Sequence, residues 1–120
     1  MSDSQDYVIK HTSQIIYATL PGGKKAFLKY VVEDNVMKLL QTYTPEEYRG
    51  KGIASQLVNY AIKLAQANNW RIEPVCSYTI NYFMKNRELR VILTEKYRDL
   101  SEEEWRRLLE EALAQEHKGR

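Results

Sequence analysis

A short basic turn with two glycines constrains this sequence more than any other feature. Arg49-Gly50-Lys51-Gly52 follows a β-type run, Val36 to Thr44, and an apolar pattern with helical spacing begins directly after it at Ile53. The first N–H groups of a helix have no intrahelical partner, and they lie at the positive end of the helix dipole. Glycine has no Cβ that would hold an anion away from the backbone. The turn therefore predicts a site for a phosphorylated ligand, although an ordinary turn before a helix would also have such residues.

The spacing of this turn argues against the two commonest nucleotide motifs. It does not match G-x-x-x-x-G-K-[ST], and Ser55 stands where G-x-G-x-x-G requires its third glycine. A P-loop and a Rossmann dinucleotide site are therefore both poor interpretations.

Composition limits the remaining function classes. The 120 residues suffice for one domain, 1–120, with 43% apolar and 28% charged residues and a net charge of only +2. Dispersed charge argues against nucleic acid as a partner. The sequence has no apolar run of about 20 residues and no signal-peptide core, so we expect no membrane partner and a cytoplasmic location. A single cysteine cannot form an internal disulfide, and we expect no metal site.

The first half of the chain predicts an antiparallel meander of three or four strands that leads into the glycine turn. Turn signals at Pro21-Gly22-Gly23 and Asp34-Asn35 separate runs rich in β-branched and aromatic residues. The predicted strands are Tyr7–Thr12, Gln14–Leu20, Ala26–Glu33 and Val36–Thr44.

The second half predicts one long helix, a parallel strand and further helices. A core-facing helix is predicted over 52–68, ended by Asn68-Asn69, and a strand over 70–75 should lie parallel to Val36–Thr44 because a helix connects them. A short amphipathic helix is predicted over 78–86, and the pattern over 93–100 is ambiguous. Ser101 and Glu104 form a capping box for a final helix, which should pack on its own sheet or on a partner subunit.

The segment after the parallel strand carries the candidate chemistry. The carboxyl ends of neighbouring parallel strands open onto one crevice, so we expect Cys76, Tyr78 and Tyr82 to face the space above the glycine turn. A thiol there can act as a nucleophile if its thiolate is stabilised. Free cysteine is also among the most buried residue types, and an inert structural role stays open.

Two motifs together resemble a known superfamily. Arg49-x-x-Gly52-x-Ala54 is similar to the pyrophosphate signature of the GNAT acetyltransferases, and Pro74-Val75-Cys76-Ser77-Tyr78 resembles the Pro-x-Cys-x-Tyr segment of a subfamily of very short GNAT-like proteins. The resemblance covers about residues 7–92, and the C-terminal extension 93–120 lies outside it. It implies an α/β (α+β) fold with an antiparallel N-terminal meander, a splayed parallel strand pair around a central helix, and here an extra C-terminal helix.

The resemblance also implies the cofactor and the site. Acetyl-CoA would thread the gap between the fourth and fifth strands, with its pyrophosphate on the turn, its pantetheine beside the strand edge and its thioester toward Cys76. The coenzyme-binding candidates are Tyr43, Thr44, Arg49, Gly50, Lys51, Gly52, Ile53, Ala54, Asn81 and Lys85.

One position departs from the subfamily. Gln41-Thr42 stands where the resemblance leads us to expect His-Thr, and Gln41 cannot accept a proton at neutral pH. The catalytic candidates are therefore Cys76, Gln41 in the position of the base, and Tyr78 or Tyr82 as general acid; a packing role for Tyr82 is equally open.

Two functions follow from these expectations. The first is an acetyl-CoA-dependent N-acetyltransferase for a primary amine, either a protein or peptide lysine or a small amine, with direct transfer and transfer through Cys76 both open. The alternative is an acyl-CoA-binding module with little activity that recruits a partner through its C-terminal helix. A homodimer formed through that helix is a further expectation.

Overall fold

Five strands form one mixed sheet in the order in which they occur along the chain. The computed structural model describes residues 7–118. The first four strands pair antiparallel, and the fourth and fifth pair parallel, which confirms the predicted fold class. The strands are β1 Ile9–His11, β2 Ile15–Thr19, β3 Lys25–Glu33, β4 Val36–Tyr43 and β5 Arg71–Pro74.

Four α-helices follow β4 and frame β5. The stretch 93–100, which was ambiguous in the sequence, contains a bridge from Leu93 to Ile72 of β5 and then a single helical turn. No helix within residues 7–118 is both long enough and apolar enough to cross a bilayer. The helices are α1 Ile53–Asn68, α2 Ser77–Lys85, α3 Glu95–Arg98 and α4 Glu102–Lys118.

The main core lies between α1 and one face of the sheet. The buried residues of α1 recur at the helical period, and alternate residues of the strands face them because successive strand side chains point to opposite faces. Leu57 of α1 and Leu28, Met37 and Leu39 of the sheet are completely buried. Each such side chain contributes roughly 1.5–3 kcal/mol by leaving water, so α1 is firmly fixed on the sheet.

A β-bulge interrupts β4 one residue before the predicted site. Lys29 of β3 pairs with Gln41 while Tyr30 pairs with Leu39, so Leu40 is an extra residue in β4. A bulge bends its strand and changes the direction of the following side chains. The last four residues of β4 therefore leave the regular register of the rest of the sheet.

The parallel pair separates at the same place. The β4–β5 register ends at Leu39 with Pro74, and the Leu39 carbonyl oxygen accepts from both the Val75 N–H at 2.9 Å and the Cys76 N–H at 3.2 Å. Because α2 begins at Ser77, β5 offers no partner to β4 beyond Leu39. The predicted gap between the fourth and fifth strands is thus present, and it begins at Leu39.

The final helix packs within its own chain. The capping box is as predicted: Ser101 N–H donates to Glu104 Oε1 at 2.8 Å, and Glu104 N–H donates to Ser101 Oγ at 3.1 Å. Trp105 of α4 is completely buried, with the Arg90 guanidinium 4.7 Å from its ring centroid. Helix α4 also lies against α2, while the expected homodimer stays a prediction.

Asn69 ends α1 in the left-handed conformation. Its φ is 59°, and the following Trp70 N–H donates to the Ala65 carbonyl oxygen at 2.8 Å, which is the 6→1 bond of a Schellman ending. This ending turns the chain back so that β5 can lie beside β4.

Alanine and glycine at position 69 should have different effects on the free energy of unfolding. Asn69→Ala should lower the free energy of unfolding by about 1 kcal/mol, because a residue with an ordinary Cβ is strained in the left-handed conformation. Asn69→Gly should stay close to wild type, since glycine adopts this conformation without that strain. Urea denaturation of the three proteins measures the difference, and equal losses in both variants would contradict the role of the backbone angle.

Candidate functional site

The start of α1 leaves backbone donors without partners. Gly52 precedes the helix with φ 83°, no side chain of the described residues caps it, and the first turn contains no acidic residue. The first intrahelical bond of this end runs from the Gln56 N–H to the Gly52 carbonyl oxygen at 3.1 Å. The N–H groups of residues 53–55 therefore have no intrahelical acceptor, and such a group of free donors at a helix start is the arrangement that binds an anion.

The backbone of the turn is open to a ligand. Gly50 and Gly52 have φ values of 80° and 83°, and a Cβ built on either would meet no other atom within 4 Å. The conformation itself therefore requires glycine, while the space beside it belongs to a cavity of about 580 Å³. A diphosphate group fits such a place because it can approach the main chain without a side chain between them.

Arg49 holds the turn in position. Its Nε–H donates to the Thr44 carbonyl oxygen at 2.9 Å, which ties the end of β4 to the turn across the short 3-10 helix Glu46–Tyr48. The guanidinium thereby adds fixed positive charge at the edge of the cavity, next to the positive end of the helix dipole.

The end of β4 contributes an unpaired strand edge to the same cavity. Beyond Leu39 this strand pairs only with β3, as in Phe27 with Tyr43 and Leu28 with Thr42. The edge that faces the gap keeps main-chain donors and acceptors, and an extended ligand with amide groups can pair with such an edge as an added strand does.

Tyr78 reaches this cavity from α2. Burial raises the pKa of its phenol above the ordinary value for tyrosine, and the neighbouring Tyr82 and Cys76 raise it further. The phenol is therefore protonated at neutral pH and can donate a hydrogen bond or a proton into the cavity.

Cys76 does not face the glycine turn, contrary to the prediction. It is 7% exposed and lines a separate cavity, together with Leu40 and residues of α4. The physical reason is the divergence of the strands: Cys76 N–H still bonds to Leu39, so the chain turns into α2 before Cys76 reaches the crevice.

The thiol of Cys76 is part of a local hydrogen-bond network. The Thr79 hydroxyl donates to the Cys76 carbonyl oxygen at 2.9 Å, so its oxygen can accept from the Cys76 thiol 3.3 Å away. Both bonds tie Cys76 to the first turn of α2.

The structure brings most of the predicted coenzyme-binding residues together. Three of them, Lys51, Asn81 and Lys85, do not line the cavity. The catalytic candidate Tyr82 does not line it either, and its hydroxyl donates to Asn59 Oδ1 at 3.2 Å. Sequence reasoning missed Thr42 and Tyr48; the latter lies in the 3-10 helix, which no pattern indicated. The cavity is lined by Gln41, Thr42, Tyr43, Thr44, Tyr48, Arg49, Gly50, Gly52, Ile53, Ala54 and Tyr78.

The fold and this cavity define a protein of the GNAT acetyltransferase superfamily. The family model described as "GCN5-related N-acetyl-transferase" matches residues 16–92, and the chain belongs to that family. Members generally use acetyl-CoA and bind an acceptor. Helix α4 lies outside the matched residues.

A solved structure has the same fold. The solution NMR structure of a GCN5-like protein from Staphylococcus aureus superimposes with a TM-score of 0.59 at 22% sequence identity, covering 78% of this chain and 91% of that chain. At this identity the similarity supports the fold and carries no detail of the site.

The raised pKa of Tyr78 should make stability depend on alkaline pH. The unfolded chain releases this phenolic proton near the ordinary tyrosine pKa of about 10, before the folded chain does. The stabilisation is therefore complete below that pH and is lost as pH rises through the folded pKa. Between about pH 9 and about pH 11, wild type should lose more unfolding free energy than Tyr78→Phe.

Urea denaturation of both proteins at the two pH values measures this difference. Tyr30 and Tyr97 also have raised pKa values, but they are present in both proteins and cancel in the comparison. Equal losses would contradict the buried, protonated state of Tyr78.

Proposed function

We propose that this protein is an acetyl-CoA-dependent N-acetyltransferase that acts on a primary amine. One observation carries the proposal: the uncapped start of α1, with its two left-handed glycines, opens onto the same cavity as the unpaired edge of β4. A ligand with a diphosphate at one end and an amide-containing chain at the other complements both features.

The residues of the cavity divide between two parts of the coenzyme. The N–H groups at the start of α1, with Arg49 beside them, suit the diphosphate. The free edge from Gln41 to Thr44 suits the pantetheine amides. Tyr48 and Tyr78 add aromatic walls, which suit the apolar parts of the chain.

Acetyl-CoA supplies an activated acetyl thioester when it is bound. Transfer would form a bond from the neutral amine nitrogen to the acetyl carbon and break the carbon–sulfur bond. The departing thiolate takes a proton from a donor, and the proton that the nitrogen loses returns to that donor. Tyr78 holds a proton on Oη at neutral pH because burial raises its pKa. We assign Tyr78 as the donor of that proton, while Gln41 lines the same cavity without the capacity to act as a base.

A carboxylate at the start of α1 should separate coenzyme binding from stability. Ala54→Asp places a negative charge in the first turn, where it stabilises the helix by about 0.3–1 kcal/mol through the dipole. The same charge competes for the N–H donors and repels a diphosphate. We expect unfolding stability to be kept or raised, while affinity for coenzyme A, measured by calorimetry, falls by about tenfold or more.

Ala54→Asn is the matched control for this test. It has the same shape without the charge, and it should retain coenzyme A binding within about threefold, because an amide does not repel the diphosphate. Unchanged binding in Ala54→Asp, or no binding of coenzyme A by the wild type, would reject the diphosphate site.

We further propose direct transfer, in which Cys76 carries no acetyl group. One observation supports this route: Cys76 lines a different cavity from the residues of the glycine turn. A nucleophilic cysteine must reach the thioester carbon, and Cys76 is only 7% exposed, in that other cavity.

Cys76→Ala should therefore keep kcat within about threefold, because direct transfer forms no bond to the Cys76 sulfur. Intact-mass spectrometry of wild type mixed with acetyl-CoA should show no acetyl adduct. An adduct that Cys76→Ala abolishes, together with a large loss of kcat, would instead establish the two-step route.

A second candidate is an acyl-CoA-binding module with little activity. It is favoured by the absence of histidine from both cavities within residues 7–118: His11 lies on β1 with its Nδ1 2.6 Å from Tyr60 Oη, and His117 lies near the end of α4. The outward face of α4, where Leu113 is 50% exposed, would then recruit a partner. Turnover assays with a polyamine, a lysine peptide and a small monoamine separate the two, since a module binds coenzyme A and acetylates none of them.

A further inference from the structure

A second cavity adjoins the cavity of the glycine turn. Its volume is about 610 Å³, and Leu40, Pro74 and Cys76 form part of its wall. Leu40 lines the second cavity and the next residue, Gln41, lines the first; likewise Cys76 lines the second cavity and Tyr78 the first. Both cavities therefore border the gap between β4 and β5.

The outer wall of the second cavity is α4, which lies beyond the residues that match the family. Glu116 holds this wall in place: its Oε2 accepts from the Ser77 N–H at 2.8 Å, and its Oε1 accepts from the Ser77 hydroxyl at 2.7 Å. The carboxylate thereby caps the start of α2, where the capping residue Cys76 supplies no side-chain bond. The helix is thus a fixed part of the cavity.

The cavity combines apolar walls with negative charge. Leu40 and Ile80 face it from the core side, and Leu108 and Ala112 face it from α4. Its charged residues are Glu111 and Glu116, and no lysine, arginine or histidine lines it. Glu116 is engaged with Ser77, whereas Glu111 makes no ion pair or hydrogen bond with any residue between 7 and 118.

We propose that this second cavity is the acceptor site and that it selects an unbranched aliphatic amine carrying a second positive charge. The inference rests on the proposed function and names the substrate class for it. Apolar walls suit a methylene chain, and Glu111 suits a protonated amine at its far end. Occupancy would bring the reacting amine beside the gap between β4 and β5, which the coenzyme cavity also borders.

The charges of such an acceptor explain the selection. The attacking amine reacts as the small neutral fraction present at neutral pH, because its lone pair forms the bond to the acetyl carbon. The second amine stays protonated at neutral pH, since aliphatic amines have pKa values of about 10. Glu111 therefore recognises the nitrogen that does not react, and a monoamine of the same length gains nothing from it.

Two variants on one helix test this inference. Glu111→Gln removes the free carboxylate from the cavity. Glu110→Gln is the matched control, because it makes the same change on the neighbouring residue, which lies in another surface depression with Arg106 and Arg107. Both variants change the net charge equally, so any long-range effect cancels.

The probes are 1,4-diaminobutane and butylamine. Wild type should acetylate the diamine with a kcat/KM about threefold to tenfold above that of butylamine, as expected for one solvent-facing charge pair. Glu111→Gln should remove this preference, Glu110→Gln should keep it, and added salt should weaken it in wild type. An unchanged preference in Glu111→Gln, or none in wild type, would overturn the inference.

A binding measurement keeps the inference separate from the proposed function. Calorimetry with 1,4-diaminobutane on protein saturated with coenzyme A requires no turnover. Diamine binding that weakens only in Glu111→Gln supports the acceptor site even if no amine is acetylated, whereas equal binding by both variants and wild type rejects it. Failure of the transferase itself would appear as coenzyme A binding without acetylation.

A free diamine and a lysine-containing peptide can both supply an acceptor of this chemistry. A lysine side chain beside an arginine in a peptide has the same pairing of a reactive amine with a second positive charge. Preference for that peptide over one with glutamate beside the lysine, lost in Glu111→Gln, assigns a peptide acceptor. Preference for the free diamine over both peptides assigns a small molecule, and no charge preference among the probes contradicts the inference.

Discussion

The Leu39 carbonyl oxygen is the point on which the arrangement of the site depends. By accepting from both Val75 and Cys76, it is the last hydrogen-bond acceptor that β4 offers to β5. The bulge at Leu40 bends the strand at the same place. A sheet that continued regularly would have paired Gln41 to Tyr43 with another strand and left no edge for a ligand. The site thus exists because the bulge in β4 and the last hydrogen bonds between β4 and the segment after β5 lie within one residue of each other.

The missing side-chain cap at the start of α1 lowers the stability of this helix. The starts of two other helices are capped by side chains: Ser101 and Glu104 cap α4, and Glu116 caps α2 from a distant part of the sequence. At α1 the residue before the helix is Gly52, and no side chain of residues 7–118 caps this start. Strong burial of its apolar face makes this tolerable, since most helical stability in proteins comes from tertiary packing.

Local patterns in the sequence were sufficient for the strands, for three of the four α-helices of residues 7–118 and for the glycine turn, because turn residues, periodicity and capping boxes act over a few positions. They were insufficient for Cys76, whose position depends on where β4 and β5 separate, and for Tyr48, which lies in a 3-10 turn without a distinctive pattern. Glu116 is 39 positions from its partner Ser77. No local signal relates those two residues, so the wall that α4 forms could be found only in three dimensions.

The two cavities draw on different parts of the chain. The first is built from residues 41–54 and Tyr78, all inside the family match, whereas the outer wall of the second is built from residues 108–116. Exchange of α4 would therefore replace the outer wall of the second cavity, while every residue that lines the first cavity lies outside that helix.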